Sequence, residues 1–132
     1  MVDLRRQFYE FLAAWKTSKH QECLLVNGAR QVGKTECVRN FAEGRYESFI
    51  EINFVREPEF SKITNDGFSV ETILRNITLL RPDYKFVPGE TLIFFDEIQE
   101  FPNIATSFKF FCQDGRFDII ASGSLLGFHY KQ

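Results

Sequence analysis

Eight residues, Gly28-Ala29-Arg30-Gln31-Val32-Gly33-Lys34-Thr35, narrow the folds open to this chain more than any other stretch. They have the spacing G-x-x-x-x-G-K-[S/T] of a loop that wraps phosphate groups. The glycines let the backbone turn tightly and aim successive N–H groups at phosphate oxygens. In that motif the lysine, here Lys34, reaches the β and γ phosphates, and the hydroxyl of Thr35 ligates Mg²⁺. Such a loop needs a strand to deliver it and a helix whose N-terminus completes the anion site. A match of this length also arises by chance in glycine-containing loops, so the flanks decide.

Both flanks fit. Cys23-Leu24-Leu25-Val26 is a short apolar run that stops at the loop, the pattern of a fully buried strand. After Lys34, residues Val38, Phe41 and Ala42 line one side of a helix that Gly44 would end. Upstream, Leu4, Phe8, Phe11, Leu12 and Trp15 recur at helical spacing over residues 3–17, with Asp3 as a candidate cap.

Downstream the alternation of helix and strand continues. Ile50, Ile52 and Phe54 alternate with Glu51 and Asn53, so residues 49–54 read as a half-exposed strand at a sheet edge. Residues 58–64 read as a short helical piece. Ser69 is placed to cap a helix carrying Val70, Ile73, Leu74, Ile77 and Leu80, closed before Pro82. Thr91-Leu92-Ile93-Phe94-Phe95 is continuously apolar and ends in Asp96-Glu97, as a central strand buried on both faces would. Pro102 opens a helix with Ile104, Phe108 and Phe111 inward, which Gly115 stops. Phe117 to Ala121 reads as another buried strand, followed by Ser122-Gly123-Ser124. The order α-β-α-β-α-β-α-β predicts an α/β fold in three layers, a parallel sheet between helices.

Composition sets the limits of that reading. With 132 residues, 44% hydrophobic and 26% charged, the chain has the make-up of one globular domain with a core of its own. The 16 phenylalanines are read as core. A net charge of −2 with scattered Lys and Arg gives no support for a nucleic-acid or membrane surface. No apolar run approaches a membrane span, and the N-terminus lacks the apolar core of a signal peptide, so a cytoplasmic location is expected. Cys23, Cys37 and Cys112 are odd in number and lack metal-ligand spacing, which fits reduced thiols, core or incidental.

In open α/β sheets ligands bind beyond the carboxyl ends of the strands. Three strands place polar residues there: the loop from Gly28 to Thr35, Asp96-Glu97, and Ser122 with Ser124. Asp96 is suited to hold Mg²⁺, largely through water. Glu97, one residue on, is placed to orient and polarise an attacking water, and Ser122 to bond the γ-phosphate or that water.

Together these motifs resemble the AAA+ branch of P-loop ATPases. Gly28 to Thr35, then Ile93-Phe94-Phe95-Asp96-Glu97-Ile98-Gln99 with Pro102, then Ala121-Ser122-Gly123-Ser124, are more narrowly similar to one prokaryotic AAA domain family, the fourteenth by profile naming. The resemblance runs from about the first helix to Gly127. It implies a sheet order of 2-3-4-1, with the Ser122 strand between the other two motif-bearing strands. It makes Gly28, Ala29, Arg30, Gln31, Val32, Gly33, Lys34 and Thr35 the Walker A loop that binds ATP. Thr35 and Asp96 become the Mg²⁺ residues, within a Walker B segment over 92–97. Glu97, Lys34 and Ser122 become the catalytic set, with Ser122 the sensor of the strand over 117–122 and Ser124 second to it. AAA+ domains continue with a fifth strand, an arginine finger and a helical lid, and this chain ends before them. It is therefore expected to be the N-terminal part, residues 1–132, of a domain whose C-terminal partner domain is absent. A homo-oligomer would supply the arginine finger. Arg116 precedes the last strand and is not assigned that role.

The competing readings are plain. Glu97 is otherwise a solvated acid, Ser122 and Ser124 turn residues, and Arg30 an exposed loop tip, while Gln99 is either near the phosphate or, more ordinarily, a polar helix-start residue. Tyr9 and Trp15 are either near an adenine ring or, more ordinarily for an amphipathic stripe, core. His20 and His129 have no partner pattern and read as surface residues. As whole functions, the alternatives to an ATPase are a nucleotide-gated switch without catalysis and a DNA-associated regulatory module, the latter unsupported by charge. A small-molecule kinase is disfavoured by the Asp96-Glu97 pair, and a GTPase by the lack of any Asn-Lys-x-Asp sequence.

Overall fold

A computed structural model of the chain describes residues 4–18, 23–27 and 33–124. Four strands, β1 (Leu24–Asn27), β2 (Ser48–Asn53), β3 (Thr91–Asp96) and β4 (Asp118–Gly123), form one sheet in the order β1-β4-β3-β2. All neighbours are parallel. This is the expected order 2-3-4-1 read from the other edge. The α-helices are α1 (Leu4–Thr17), α2 (Lys34–Ala42), α3 (Val70–Leu80) and α4 (Phe108–Asp114).

Side chains alternate across the strands and divide the core in two. Val26, Leu92, Phe94 and Ile120 pack with Leu12 of α1 and with Val38 and Phe41 of α2. Ile50, Ile52, Ile93, Phe95, Ile119 and Ala121 pack with Ile73 and Ile77 of α3 and Phe108 and Phe111 of α4. Helices thus cover both faces, as a parallel sheet requires. Phenylalanine fills the second layer: Phe95 has ring centroids at 6.1 Å from Phe54, 6.1 Å from Phe108 and 6.2 Å from Phe111.

Local signals behave as their chemistry dictates. The Ser69 hydroxyl accepts from the Thr72 N–H at 3.2 Å, capping α3. Gly115 ends α4 in the left-handed conformation at φ 73°. Residues 58–64 form a 3₁₀ turn.

Several expectations need correction. The strand over Leu24–Asn27 is not buried throughout: among the described residues β1 lies at the sheet edge, as the order 2-3-4-1 implies, Leu25 is 38% exposed, and of its residues only Val26 is buried. Four apolar residues carry no periodicity that tells an edge strand from a central one. Phe11 does not join the apolar stripe of α1: it is 54% exposed, and Leu12 carries the deepest contact. Asn53 is buried rather than on the open face, its Oδ1 accepting from the N–H groups of Val55 and Arg56 at 2.9 and 3.0 Å. Pro102 opens a 3₁₀ segment, Pro102–Ser107, and the α-helix starts only at Phe108. There the Ser107 hydroxyl donates to the Ile104 carbonyl at 2.6 Å.

Two of the cysteines also meet. The Cys112 thiol donates to Cys23 Sγ at 3.2 Å, the Cys23 thiol donates to the Phe108 carbonyl at 3.3 Å, and the Cys23 N–H donates to Cys112 Sγ at 3.2 Å. This ties the start of β1 to α4. Among the described residues no helix is long and apolar enough to cross a membrane.

Candidate functional site

Because all four strands run the same way, their C-terminal ends, Asn27, Asn53, Asp96 and Gly123, lie along one edge of the sheet. The segment that follows β1 re-enters the described structure at Gly33. Gly33 sits in the left-handed region at φ 62°, ψ 45°, and its carbonyl accepts the Cys37 N–H at 3.0 Å. A residue with a Cβ adopts that conformation only at a cost, so glycine here is a backbone requirement. Lys34 and Thr35 follow as the first turn of α2, whose leading N–H groups have no partner inside the helix and carry the positive end of its dipole. Gly28, Ala29, Arg30, Gln31 and Val32 lie outside the described residues, as do His20 and His129.

Thr35 faces the end of β3. Its hydroxyl donates to Oδ2 of Asp96 at 2.8 Å. The other Asp96 oxygen, Oδ1, accepts the N–H of Glu97 at 2.9 Å. Asp96 is only 6% exposed. Burial pushes its carboxyl above the ordinary range, opposed by the bonds from Thr35 and Glu97 and reinforced by the nearby charges of Glu97 and Glu51. Desolvation likewise lowers the pKa of Lys34. A hydroxyl and a buried carboxylate in contact form an all-oxygen donor set, which suits a hard divalent cation such as Mg²⁺.

Glu97 departs from ordinary backbone. At φ 58°, ψ 46° it is the non-glycine residue with positive φ among those described. Such a conformation costs on the order of 1–3 kcal/mol and persists where surrounding contacts over-determine it. Here the Asp96 carboxylate holds the Glu97 N–H, and Gln99 Nε2 donates to Glu97 Oε1 at 2.9 Å. Gln99 in turn accepts the Ser124 N–H at 3.0 Å.

Ser122, the expected sensor, is buried near the C-terminal end of β4, opposite Val26 of β1. The structure therefore brings together Thr35, Asp96 and Glu97 by direct bonds, with Lys34 beside Thr35 and Ser122 on the neighbouring strand. Tyr9 and Trp15 belong to the α1–α2 core, Tyr9 meeting Phe41 edge-on at 6.1 Å, which favours the packing reading for both. Arg116 is engaged with Asp114 at 2.7 Å and with Glu71.

Two residues of the quoted motifs gain roles that their sequence did not assign. Gln99 is bonded at both ends of its amide, and Gly123 leaves room for it: a Cβ at 123 would lie 2.8 Å from Gln99 Oε1 and 2.9 Å from Ile98 Cγ1. The signal available for them was the short polar spacing Asp96-Glu97-x-Gln99 and the glycine between two serines.

A family model described as an AAA domain matches residues 20–132. The chain belongs to this AAA domain family. None of the curated proteins and none of the solved structures matches the chain. Membership in the AAA family points to nucleotide-binding, ATPase-type function, and the match spans both the glycine loop and the Asp96-Glu97 strand.

Proposed function

We propose that this chain binds ATP with Mg²⁺ and carries the hydrolytic machinery of an ATPase. The observation that carries the reading is the Thr35–Asp96 hydrogen bond, which joins the helix after the glycine loop to an acidic strand end. In this reading Gly28 to Lys34 wrap the β and γ phosphates, and Lys34 neutralises their charge. Its lowered pKa reflects partial burial that such a phosphate contact would offset. Mg²⁺ would be held by the Thr35 hydroxyl and, through water, by the Asp96 carboxylate; when bound it neutralises charge on the phosphate oxygens.

Glu97 is the general base. Its carboxylate takes the proton of the attacking water as the water oxygen forms a bond to the γ phosphorus and the bond to the β–γ bridging oxygen breaks. Ser122 hydrogen-bonds the γ-phosphate or the water. Phosphoryl transfer needs positioning and charge neutralisation, and these residues supply both. An arginine from a neighbouring copy would add charge stabilisation, on the order of 10³–10⁵ in turnover. Without one, this segment binds nucleotide and turns it over slowly. A C-terminal domain would read the nucleotide state.

The test is ATP turnover beside nucleotide binding for wild type, Lys34→Ala and Glu97→Gln. Lys34→Ala is expected to bind Mg–ATP more weakly, and Glu97→Gln to bind it but turn it over far more slowly. Full turnover by Glu97→Gln would remove Glu97 from the role of base.

A further inference from the structure

We propose that Gln99 is the positioning residue of Glu97, a polar strut that fixes the Glu97 carboxylate against the end of β4. The inference rests on the reading of Glu97 as base. Its geometry is closed at both ends. Gln99 Oε1 accepts the backbone N–H of Ser124 at 3.0 Å, and Gln99 Nε2 donates to Glu97 Oε1 at 2.9 Å. A backbone N–H can only donate, so the oxygen of the Gln99 amide must face Ser124 and its nitrogen must face Glu97.

This orientation has a chemical consequence. The amide engages one carboxylate oxygen of Glu97 and leaves the second outside that bond. Glu97 is otherwise set by a left-handed backbone at φ 58°, which directs its side chain but leaves the χ angles to their surroundings. Gln99 supplies that restraint. It anchors the restraint to the backbone of the segment that carries Ser122 and Ser124, tying the base to the sensor strand. Gly123 makes the approach possible, since a Cβ there would stand 2.8 Å from Gln99 Oε1. The strut joins the 3₁₀ turn Ile98–Glu100 to the end of β4, two elements brought together by the fold and distant in sequence.

Two substitutions separate positioning from simple bracing. Gln99→Glu keeps an acceptor for the Ser124 N–H and removes the donor to Glu97. Gln99→Met keeps the length and removes both. Steady-state ATP hydrolysis and Mg–ATP binding are measured for the full-length protein, with thermal melting to confirm folding and Glu97→Gln alongside. If Gln99 positions Glu97, Gln99→Glu lowers kcat by roughly tenfold or more, at least as far as Gln99→Met, while KM and the Mg–ATP Kd stay within about twofold. If Gln99→Glu turns over like wild type, the proposal is overturned, whether Gln99→Met falls (bracing alone) or not. If Gln99→Met does not fold, the comparison of Gln99→Glu with wild type still decides. Full turnover by Glu97→Gln would instead overturn the base assignment and the strut with it, an outcome distinct from an intact base that needs no strut.

Discussion

The Thr35 hydroxyl donates to Oδ2 of Asp96 at 2.8 Å, closing a contact between the first turn of α2 and the end of β3 that spans 61 residues of sequence. Asp96 meets this contact while buried, with its carboxyl held above the ordinary range mainly by desolvation. An acid whose folded pKa is raised binds more protons folded than unfolded. Stability therefore falls as pH rises from the ordinary value of 3.8 through the folded one, and the penalty remains above it. Asp96→Asn removes the charge yet can still accept from the Glu97 N–H and donate to Thr35 Oγ1. At neutral pH, without ligand, its melting temperature is expected to equal or exceed that of wild type. Its melting temperature should no longer rise with Mg–ATP, as wild type's should. A large loss of stability in ligand-free Asp96→Asn would contradict this account of the site.

Glu97→Gln tests the chemistry apart from binding. A positioned general base contributes roughly 10²–10⁴-fold, so turnover should fall by about that factor while Mg–ATP still binds. Single-turnover hydrolysis beside equilibrium binding reads the two separately. Loss of binding would mean that Glu97 supports the fold of the site.

Gly123→Ala places a methyl 2.8 Å from Gln99 Oε1, 2.9 Å from Ile98 Cγ1 and 3.2 Å from the Ile98 backbone nitrogen. The Gln99 side chain can yield, whereas the Ile98 nitrogen is backbone and cannot move alone. Overpacking of this kind costs typically about 1–3 kcal/mol, which a denaturant midpoint resolves. An unchanged midpoint would show that the turn after β3 is looser than described.

These three tests bear on residues of unequal legibility. Lys34 and Thr35 could be read directly from the glycine spacing that leads into them, and Asp96 and Glu97 because they end an apolar run abruptly. The α/β alternation could be read because helical and strand periods differ along the chain. The edge position of β1 followed from the sheet order that the resemblance implied and not from its residues, since Leu24, Leu25 and Val26 look the same whether one or two strands flank them. The burial of Asn53 could not be read, because its bonds go to the backbone of the turn it begins. Gln99 could be read only as a phosphate neighbour or a polar helix-start residue, because its partner Ser124 lies 25 residues away.

The phenylalanine layer makes a separate prediction about folding. Phe95 is fully buried and meets Phe54, Phe108 and Phe111. Phe95→Ala should destabilise the domain by about 3–5 kcal/mol, the range for a buried aromatic truncated in a close-packed core. Phe11→Ala, at a side chain 54% exposed, should cost far less. Chemical denaturation of both variants gives the comparison, and equal losses would contradict the placement of the core.

Nucleotide binding is the central claim, and titration with Mg–ATP and Mg–GTP of wild type and Lys34→Ala tests it most directly. Wild type should bind Mg–ATP in preference to Mg–GTP. Lys34→Ala should bind Mg–ATP roughly 10–100-fold more weakly, the equivalent of about 1.5–3 kcal/mol for hydrogen bonds to a charged group. Wild type with no measurable affinity for either nucleotide would contradict the account.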